Sequence, residues 1–265
     1  MEKIKIVDQM FAHAKYSTDF QESKYIEWDR TQFSKDDIIF YTDYSLGQVI
    51  SDKNSYAWLL ESPEITKQSY NWISQNNKLF KNVLTHNKKL LDKGENFKFY
   101  PLGGCWIKPE HQEIYDKSKI VSIIASGKKI TYGHNLRHKV IQYIDVDVYG
   151  RGYNPIDYKL TALKNYAFSI TIENTKEDYY FTEKLIDCFM TGTVPIYWGC
   201  PSIGNFFNTD GMIIFDNFED LDEIINNLTI EKYNNMLDAI KENFDNAKEY
   251  LIAEDYIYKN YLKNE

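Results

Sequence analysis

The sequence lacks the features that mark several common classes of protein. Its three cysteines, Cys105, Cys188 and Cys200, are odd in number and do not have metal-ligand spacing, which argues against a disulfide framework and a zinc site. No 18 consecutive residues are apolar, and the first residues contain no apolar signal segment. We therefore expect a protein without an integral membrane segment in a reduced compartment, which is the cytoplasm, or a host cytoplasm if the gene is viral.

Positive charge is scarce as well. The chain has 31 lysines and arginines against 39 aspartates and glutamates, which gives a net charge of -8. Sequence-independent binding of DNA or RNA requires an excess of cations over a broad face, so we expect no nucleic acid partner. An acidic protein can still bind a polyphosphate where a few cations and backbone N–H donors are concentrated locally.

Two common nucleotide-binding fingerprints are also missing. The sequence contains neither G-x-G-x-x-G nor G-x-x-x-x-G-K-[ST], so it carries no dinucleotide fingerprint and no P-loop. The chain does have ample apolar material for a core, since 43% of its 265 residues are apolar, with 22 tyrosines and 15 phenylalanines. This length and composition favour a globular protein with two lobes.

In the first half of the chain, short β-rich runs alternate with longer helical patterns. The β-rich runs are IKIVDQ, DIIFYTD, YAWLLES, NVLTH and FKFYPLG. Helical patterns cover residues 63–77 and 86–94, and the second is expected to end at Gly94 as a helix C-cap. Residues 108–118 are polar and contain Pro109, so we place the boundary between the lobes there.

The second half of the chain repeats this alternation. Its β-rich runs are IVSIIAS, VDVYG, AFSITIEN, VPIYWG and GMIIFDN, and helical patterns cover residues 134–144, 157–166 and 182–192. Strand, crossover and parallel strand in succession predict doubly wound sheets. We therefore predict an α/β protein whose two Rossmann-like lobes, residues 1–115 and 119–265, face one another across a cleft.

The most informative polar residues follow the run FSITIEN. Thr182 has the type and position of a helix N-cap, and Glu183 and Lys184 follow in the first turn. A helix N-terminus suits a phosphate, Lys184 adds a cation, and Glu183 can accept hydrogen bonds from a ribose or a base. A lone T-E-K triplet is more often a plain helix start, but the turn WGCPSIG brings further polar groups to the next strand end and favours a site.

The stretch FSITIENTKEDYYFTEKLIDCFMTGTVPIYWGCPSI closely resembles the signature of glycosyltransferase family 10, the α-1,3/4-fucosyltransferases. The family pattern is F-E-N-S, then Y-x-T-E-K, then G-x-x-P-I-Y-W-G-S-P. Cys200 and Ile172 stand where the family commonly has Ser and Phe. The resemblance implies a GT-B fold and inverting transfer from GDP-fucose, with the donor held by the C-terminal lobe.

The same resemblance assigns residues to the donor. Its donor-binding positions fall on Asn174, Tyr180, Glu183 and Lys184. It also places Arg137 on the donor phosphates, where a guanidinium suits a pyrophosphate because it is always charged and can bind with two N–H groups. A solvated arginine on a helix face is the alternative. Ser126, at the end of IVSIIAS, is a further donor-site candidate.

Inverting transfer also requires a carboxylate that takes the proton of the acceptor hydroxyl. Glu61, after the run YAWLL, is the candidate general base and Glu64 is the second choice, because the resemblance places a glutamate after a comparable strand. Either residue could instead cap the helix that is predicted to start near Pro63. Asp43 and Asp145 are weaker candidates.

We expect no metal site. His134 and His138 lie four residues apart on one helix face, but no third ligand is at a fitting distance in the sequence. The triplet DVD at residues 145–147 opens a strand and is expected to be solvated. Trp106 could stack on an acceptor sugar, although packing in the core is the more frequent role of such a residue.

These observations predict an inverting glycosyltransferase. It would move a sugar, with fucose from GDP-fucose as the first choice, to a hydroxyl of a glycan or saccharide acceptor. It would need no cofactor besides the GDP-sugar substrate. Two alternatives stay open: the same fold with another nucleotide-sugar donor, and a non-catalytic protein that binds a sugar nucleotide.

Overall fold

The computed structural model describes residues 1–51 and 53–263. They form two compact units: the first comprises Met1–Leu102, Asp178–Tyr180 and the segment from Ile252 onward, and the second comprises Gly103–Glu177 and Phe181–Leu251. Each unit has its own parallel sheet. In the part of the chain that is described, no helix combines the length and apolar character needed to cross a membrane.

The first unit is built on a sheet whose strands all run parallel. In chain order the strands are β1 (Glu2–Val7), β2 (Ile26–Asp29), β3 (Ile39–Thr42), β4 (Ser55–Trp58), β5 (Asn82–Thr85) and β6 (Phe97–Phe99). Across the sheet the order is β2-β1-β3-β4-β5-β6. The central strands β3 and β4 are buried at every position, as expected for parallel strands covered on both faces.

The second unit has a parallel sheet as well. Its strands are β7 (Lys119–Ile124), β8 (Asp147–Tyr149), β9 (Tyr166–Ile172), β10 (Val194–Trp198) and β11 (Ile213–Ile214). Across the sheet the order is β11-β10-β9-β7-β8. All seven residues of β9 are buried, so this strand forms the middle of the unit.

Helices connect and cover the strands. In chain order the α-helices are α1 (Lys67–Asn76), α2 (Lys88–Leu91), α3 (Tyr132–Tyr143), α4 (Glu183–Phe189), α5 (Asp220–Asn226), α6 (Ile230–Asn235), α7 (Leu237–Ala247) and α8 (Ala253–Ile257). Short 3₁₀ helices cover Asp43–Gln48, Asn77–Leu79, Pro109–His111, Lys159–Ala162, Ile203–Asn205, Thr209–Gly211 and Lys248–Tyr250, and Tyr258–Leu262 forms a π-helix. The α/β class with parallel sheets was predicted correctly.

The boundary between the units differs from the predicted division into residues 1–115 and 119–265. Residues after Leu102 pack with the second unit because the Gly103 and Gly104 N–H groups donate to the carbonyls of Phe181 and Tyr250, and Cys105 lies in the core around them. The segment from Ile252 onward returns to the first unit, where its apolar side chains join the core.

Some local predictions were wrong. The helix predicted over residues 157–166 is only the 3₁₀ helix Lys159–Ala162, which a turn at residues 163–165 joins to β9. Helix α2 ends at Leu91 with Asp92 as its C-cap, so Gly94 does not cap it. Strand β2 was not predicted, since its four residues alternate between buried and half-buried positions and give a short pattern.

Candidate functional site

A cavity of about 140 Å³ opens in the second unit beside the carboxyl ends of the neighbouring strands β7 and β9. This edge is where parallel α/β sheets bind their ligands. The lining residues come from β7 and its continuation, β9, α3, α4 and the 159–163 turn: Ile124, Ser126, Arg137, Lys159, Leu163, Ser169, Ile170, Thr171, Ile172, Glu183, Lys184, Asp187 and Cys188.

Helix α3 positions Arg137 in this cavity. The helix begins with a capping box in which the Thr131 hydroxyl accepts from the His134 N–H and the His134 ring accepts from the Thr131 N–H. Arg137 is 6% exposed; its Nε donates to the Ile172 carbonyl at 3.0 Å and its Nη2 to Asn174 Oδ1 at 2.7 Å. The guanidinium is therefore fixed to the end of β9.

The start of helix α4 is fixed by a buried carboxylate that the sequence analysis did not single out. Glu173 is fully buried and accepts from the Thr182 N–H at 2.9 Å and from the Thr182 hydroxyl at 2.7 Å. Thr182 is the N-cap, as predicted, and accepts from the Lys184 N–H. Lys184 Nζ lies 3.0 Å from the Thr182 hydroxyl and 3.5 Å from Glu173 Oε2, so the ammonium sits over the first turn of the helix.

Lys159 is a third cation of the cavity, which the sequence analysis also missed. Its Nζ lies 2.8 Å from Asp187 Oδ2 and 3.3 Å from Glu183 Oε1, and 4.5 Å from the centre of the Trp106 ring. Burial alone would lower the pKa of Lys159, but the two carboxylates hold it above its usual range. The ammonium thus stays charged. No motif pointed to this residue, because its partners lie far away in the sequence.

The charges of the cavity balance one another closely. Among the described lining residues, three cations, Arg137, Lys159 and Lys184, face the two carboxylates of Glu183 and Asp187. Burial would raise the pKa of Glu183, but Lys184 and Lys159 hold it below its usual range, so this carboxylate is ionised. The cavity therefore offers three cations together with a fixed, ionised acceptor, an arrangement that suits an anion carrying hydroxyl or amine donors.

The predicted donor residues separate into three groups. Four of them line the cavity: Ser126, Arg137, Glu183 and Lys184. Asn174 and Thr182 do not line it but bond to Arg137 and Lys184, which do. Tyr180 lies apart from the lining and belongs to the first unit, where its ring centre is 4.9 Å from that of His86.

The predicted bases lie at the carboxyl ends of the first sheet. Glu61 is half-buried and follows β4, whereas Glu64 is exposed. Neither caps a helix, since α1 begins at Lys67 with Thr66 as its N-cap. Asp43, at the end of β3, is 1% exposed, and burial raises its pKa to about 7. Asp145 belongs to the second unit, where it is exposed and precedes β8. It therefore lies at the amino end of that strand and not at the carboxyl ends that border the cavity.

The remaining candidates have structural partners. His134 completes the capping box, and His138 bonds to Tyr153 and to the Lys128 carbonyl. Within residues 1–51 and 53–263, no group of three or more His, Cys, Asp or Glu side chains could hold a metal ion. Trp106 is 41% exposed, so the expectation that it packs in the core was wrong. Its backbone N–H donates to the Asp187 carboxylate, and the Lys159 ammonium lies over its ring.

Comparison with known families identifies the second unit. The sequence model described as "Glycosyltransferase family 10 (fucosyltransferase) C-term" matches residues 114–262. This range contains every described residue that lines the cavity.

Curated relatives and solved structures agree with this match. The chain is 37% identical over 114 residues to an alpha-(1,3)-fucosyltransferase, FucT, of Helicobacter pylori, covering 41% of this chain and 22% of the relative. It is 35% identical over 85 residues to a fucosyltransferase-like protein of Arabidopsis thaliana, covering 31% and 17%. The matched segments thus span about a fifth of the length of these relatives.

The fold likeness extends over most of the chain. A crystal structure of an alpha1,3-fucosyltransferase aligns with a TM-score of 0.55 and 19% identity over 89% of this chain and 80% of the other. A structure of such an enzyme with GDP-fucose aligns with a TM-score of 0.54 and 19% identity over 85% and 80%. These likenesses confirm the GT-B-like fold class.

Proposed function

The chain belongs to glycosyltransferase family 10, and from this membership we propose that it transfers a fucosyl group from GDP-fucose to a hydroxyl of a saccharide acceptor. The observation that carries the proposal is the convergence of Arg137, Lys184 and Glu183 on one cavity at the carboxyl ends of β7 and β9. Relatives described as fucosyltransferases, and a similar fold observed with GDP-fucose, support this choice of donor.

In the proposed reaction the acceptor oxygen attacks the anomeric carbon while the bond between that carbon and the diphosphate oxygen breaks. Arg137 and Lys184 would neutralise the charge that develops on the departing diphosphate, an electrostatic contribution that is often the largest in catalysis. Glu183 would accept hydrogen bonds from the nucleoside. These roles need no metal ion or other cofactor, so GDP-fucose would enter as a substrate alone.

The proton of the acceptor hydroxyl must be removed as the new bond forms. We assign this step to Glu61, which would take the proton as a general base, with Glu64 as the second choice. Attack from the face opposite the diphosphate would invert the anomeric configuration. The configuration of the product, read by nuclear magnetic resonance, would test this part of the proposal.

The donor site is tested with Lys184→Ala. Fucosyl transfer from GDP-fucose to a panel of free disaccharides is followed by mass spectrometry, and GDP affinity is measured by calorimetry. We expect the variant to lose about 10²-fold or more in kcat, because one cation facing the leaving group is removed. Lys241→Ala, which removes an exposed cation of α7, is the matched control and should leave both quantities unchanged.

Two results would contradict the proposal. The first is a folded Lys184→Ala variant that behaves like Lys241→Ala. The second is a thermal-shift comparison in which UDP, ADP or CMP stabilises the protein more than GDP does. A nucleotide at 100 times its Kd should add about 2.7 kcal/mol to the free energy of unfolding, so the preferred base is readily identified.

A further inference from the structure

Asp43 is an unusual residue of the first unit. It follows β3 directly, is 1% exposed, and has a backbone φ of 21°, a value that residues other than glycine seldom adopt. A buried carboxylate and a strained backbone both cost stability, and such features cluster at functional sites.

The two carboxylate oxygens of Asp43 hold the two ends of one short segment. Oδ2 accepts from the Leu60 N–H at 2.8 Å, and Oδ1 accepts from the Thr66 hydroxyl at 2.9 Å. Leu60 and Thr66 bracket Glu61, and Thr66 is the N-cap residue of α1. Asp43 therefore fixes the backbone from which the Glu61 side chain projects.

A second contact fixes Glu61 from the helix side. The Tyr70 hydroxyl, on α1, donates to the Glu61 carbonyl at 2.8 Å and lies 3.4 Å from Nε2 of His86. Burial lowers the pKa of His86 to about 3, so its ring is neutral at ordinary pH. The Leu60 N–H, just before Glu61, and the Glu61 carbonyl are thus both held by buried side chains.

Asp43 and Glu61 also interact by charge. Burial raises the pKa of Asp43 to about 7, the hydrogen bonds from Leu60 and Thr66 oppose this, and the Glu61 carboxylate raises it further. Tyr100, after β6, is affected by both carboxylates; burial keeps its pKa well above the usual value, so it stays neutral. Ionisation of Asp43 therefore places a second negative charge near Glu61 at close to neutral pH.

We propose that Asp43 is the positioning residue of Glu61: through its two carboxylate oxygens it fixes both ends of the 60–66 segment from which Glu61 projects. This inference rests on the proposed function, in which the acceptor proton moves to Glu61. Asp43 itself takes no proton from the acceptor. Its hydrogen bonds become charge-assisted when it ionises, so the ionised form of Asp43 holds the segment more firmly.

The test compares Asp43→Asn and Asp43→Ala with the exposed control Asp36→Asn. The kcat and the KM for GDP-fucose are measured from pH 5 to pH 9 with the best disaccharide of the panel. For the wild type, kcat should rise about threefold to tenfold across pH 7 as Asp43 ionises. Asp43→Asn keeps the shape but not the charge, so this rise should be absent.

Asp43→Ala removes both hydrogen bonds to the 60–66 segment. Its kcat should fall about 10²-fold at every pH, since a misplaced catalytic group costs that much, while the KM for GDP-fucose stays within about twofold. A purely structural role would give Asp43→Asn a pH profile parallel to that of the wild type. That result, or an Asp43→Ala variant with wild-type kcat, would overturn the role of Asp43 but leave the proposed function standing.

Other results would contradict the proposed function itself. A wild-type chain that forms no product with any disaccharide, or a fully active Glu61→Gln variant, would overturn the assignment of the base and this inference with it. An Asp43→Ala variant that does not fold would leave the test to Asp43→Asn, whose profile decides the matter by itself.

A measurement independent of catalysis checks the burial of the charge. The folded-state pKa of Asp43 lies above its unfolded value, so the stability that it contributes is complete below the unfolded pKa and is lost as the pH rises through about 7. Asp43→Asn should therefore raise Tm relative to the wild type more at pH 8 than at pH 5. An equal difference at both values would show that the folded-state pKa of Asp43 is not raised, so that Asp43 does not change its charge near pH 7, contrary to the proposal.

Discussion

At the scale of single residues, the cavity depends on paired charges rather than on isolated ones. Asp187 is 1% exposed, and burial raises its pKa above the usual range, although Lys159 opposes this. Asp187 Oδ2 pairs with Lys159, and Oδ1 accepts the backbone N–H of Trp106 at 2.6 Å. Cys188, next to it, lines the cavity too, but burial raises the pKa of its thiol to about 12, so it is not a nucleophile at neutral pH.

Lys159→Met tests this pairing. Removal of the ammonium leaves the Asp187 carboxylate buried without its cation, so we expect a loss of about 3 kcal/mol in the free energy of unfolding. Urea denaturation at pH 7 measures it. Lys241→Met breaks an ion pair between two exposed residues and should cost less than about 1 kcal/mol.

A further substitution identifies the cause of this loss. Adding Asp187→Asn to Lys159→Met should recover part of the stability, because a neutral amide can accept the Trp106 N–H without a buried charge. A double variant as unstable as Lys159→Met would show that the loss comes from packing and not from the unpaired carboxylate.

At the scale of secondary structure elements, the site depends on how closely α3 approaches the end of β9. Gly133, in the first turn of α3, donates its N–H to the Asn174 carbonyl. A Cβ at this position would lie 1.8 Å from the Glu173 carbonyl oxygen, which is a clash with backbone. Because Gly133 has no side chain, α3 can approach closely enough for Arg137 to contact the carboxyl end of β9.

Gly133→Ala should therefore displace α3 and weaken the donor site. We expect GDP affinity to fall about tenfold and stability to fall by about 1–3 kcal/mol, the usual range for an overpacked position. Calorimetric titration with GDP and thermal denaturation measure the two effects. Gly127→Ala is the control, since no heavy atom lies within 4 Å of the added carbon; equal behaviour of the two variants would contradict the prediction.

At the scale of the whole molecule, the chain completes its first unit with its last elements. Ile252, Ala253, Ile257 and Leu262 pack in the core of that unit. Glu254 is fully buried and accepts from the Ser17 N–H at 2.8 Å, the Ser17 hydroxyl at 2.7 Å and Trp28 Nε1 at 2.9 Å. The core of the first unit therefore depends on residues 252–262.

Ile257→Asp tests this dependence. A charged group in place of a fully buried side chain should lower stability by about 3 kcal/mol or more. Hydrogen exchange read by mass spectrometry should show loss of protection mainly in β1 to β6, although the substitution lies near the other end of the chain. Lys259→Asp, at an exposed position of the same segment, is the control; a loss confined to β7 to β11 would be the opposite of what we expect.

The sequence by itself determined the elements and part of the site. Hydrophobic runs located most strands, because burial on both faces of a parallel strand leaves a continuous apolar pattern. The T-E-K motif and Arg137 were found because helix caps and family motifs are local. The roles assigned to the predicted site residues all stay predictions: Glu61, Glu64, Ser126, Arg137, Asn174, Tyr180, Thr182, Glu183 and Lys184.

Only the tertiary structure decided which distant residues meet. Lys159 with Asp187, Glu173 with Thr182, and Asp43 with the ends of the 60–66 segment are pairs that no spacing reveals. The return of the last segment to the first unit is of the same kind. Such contacts depend on the packing of whole elements, whereas sequence patterns report the burial of each residue within its own strand or helix.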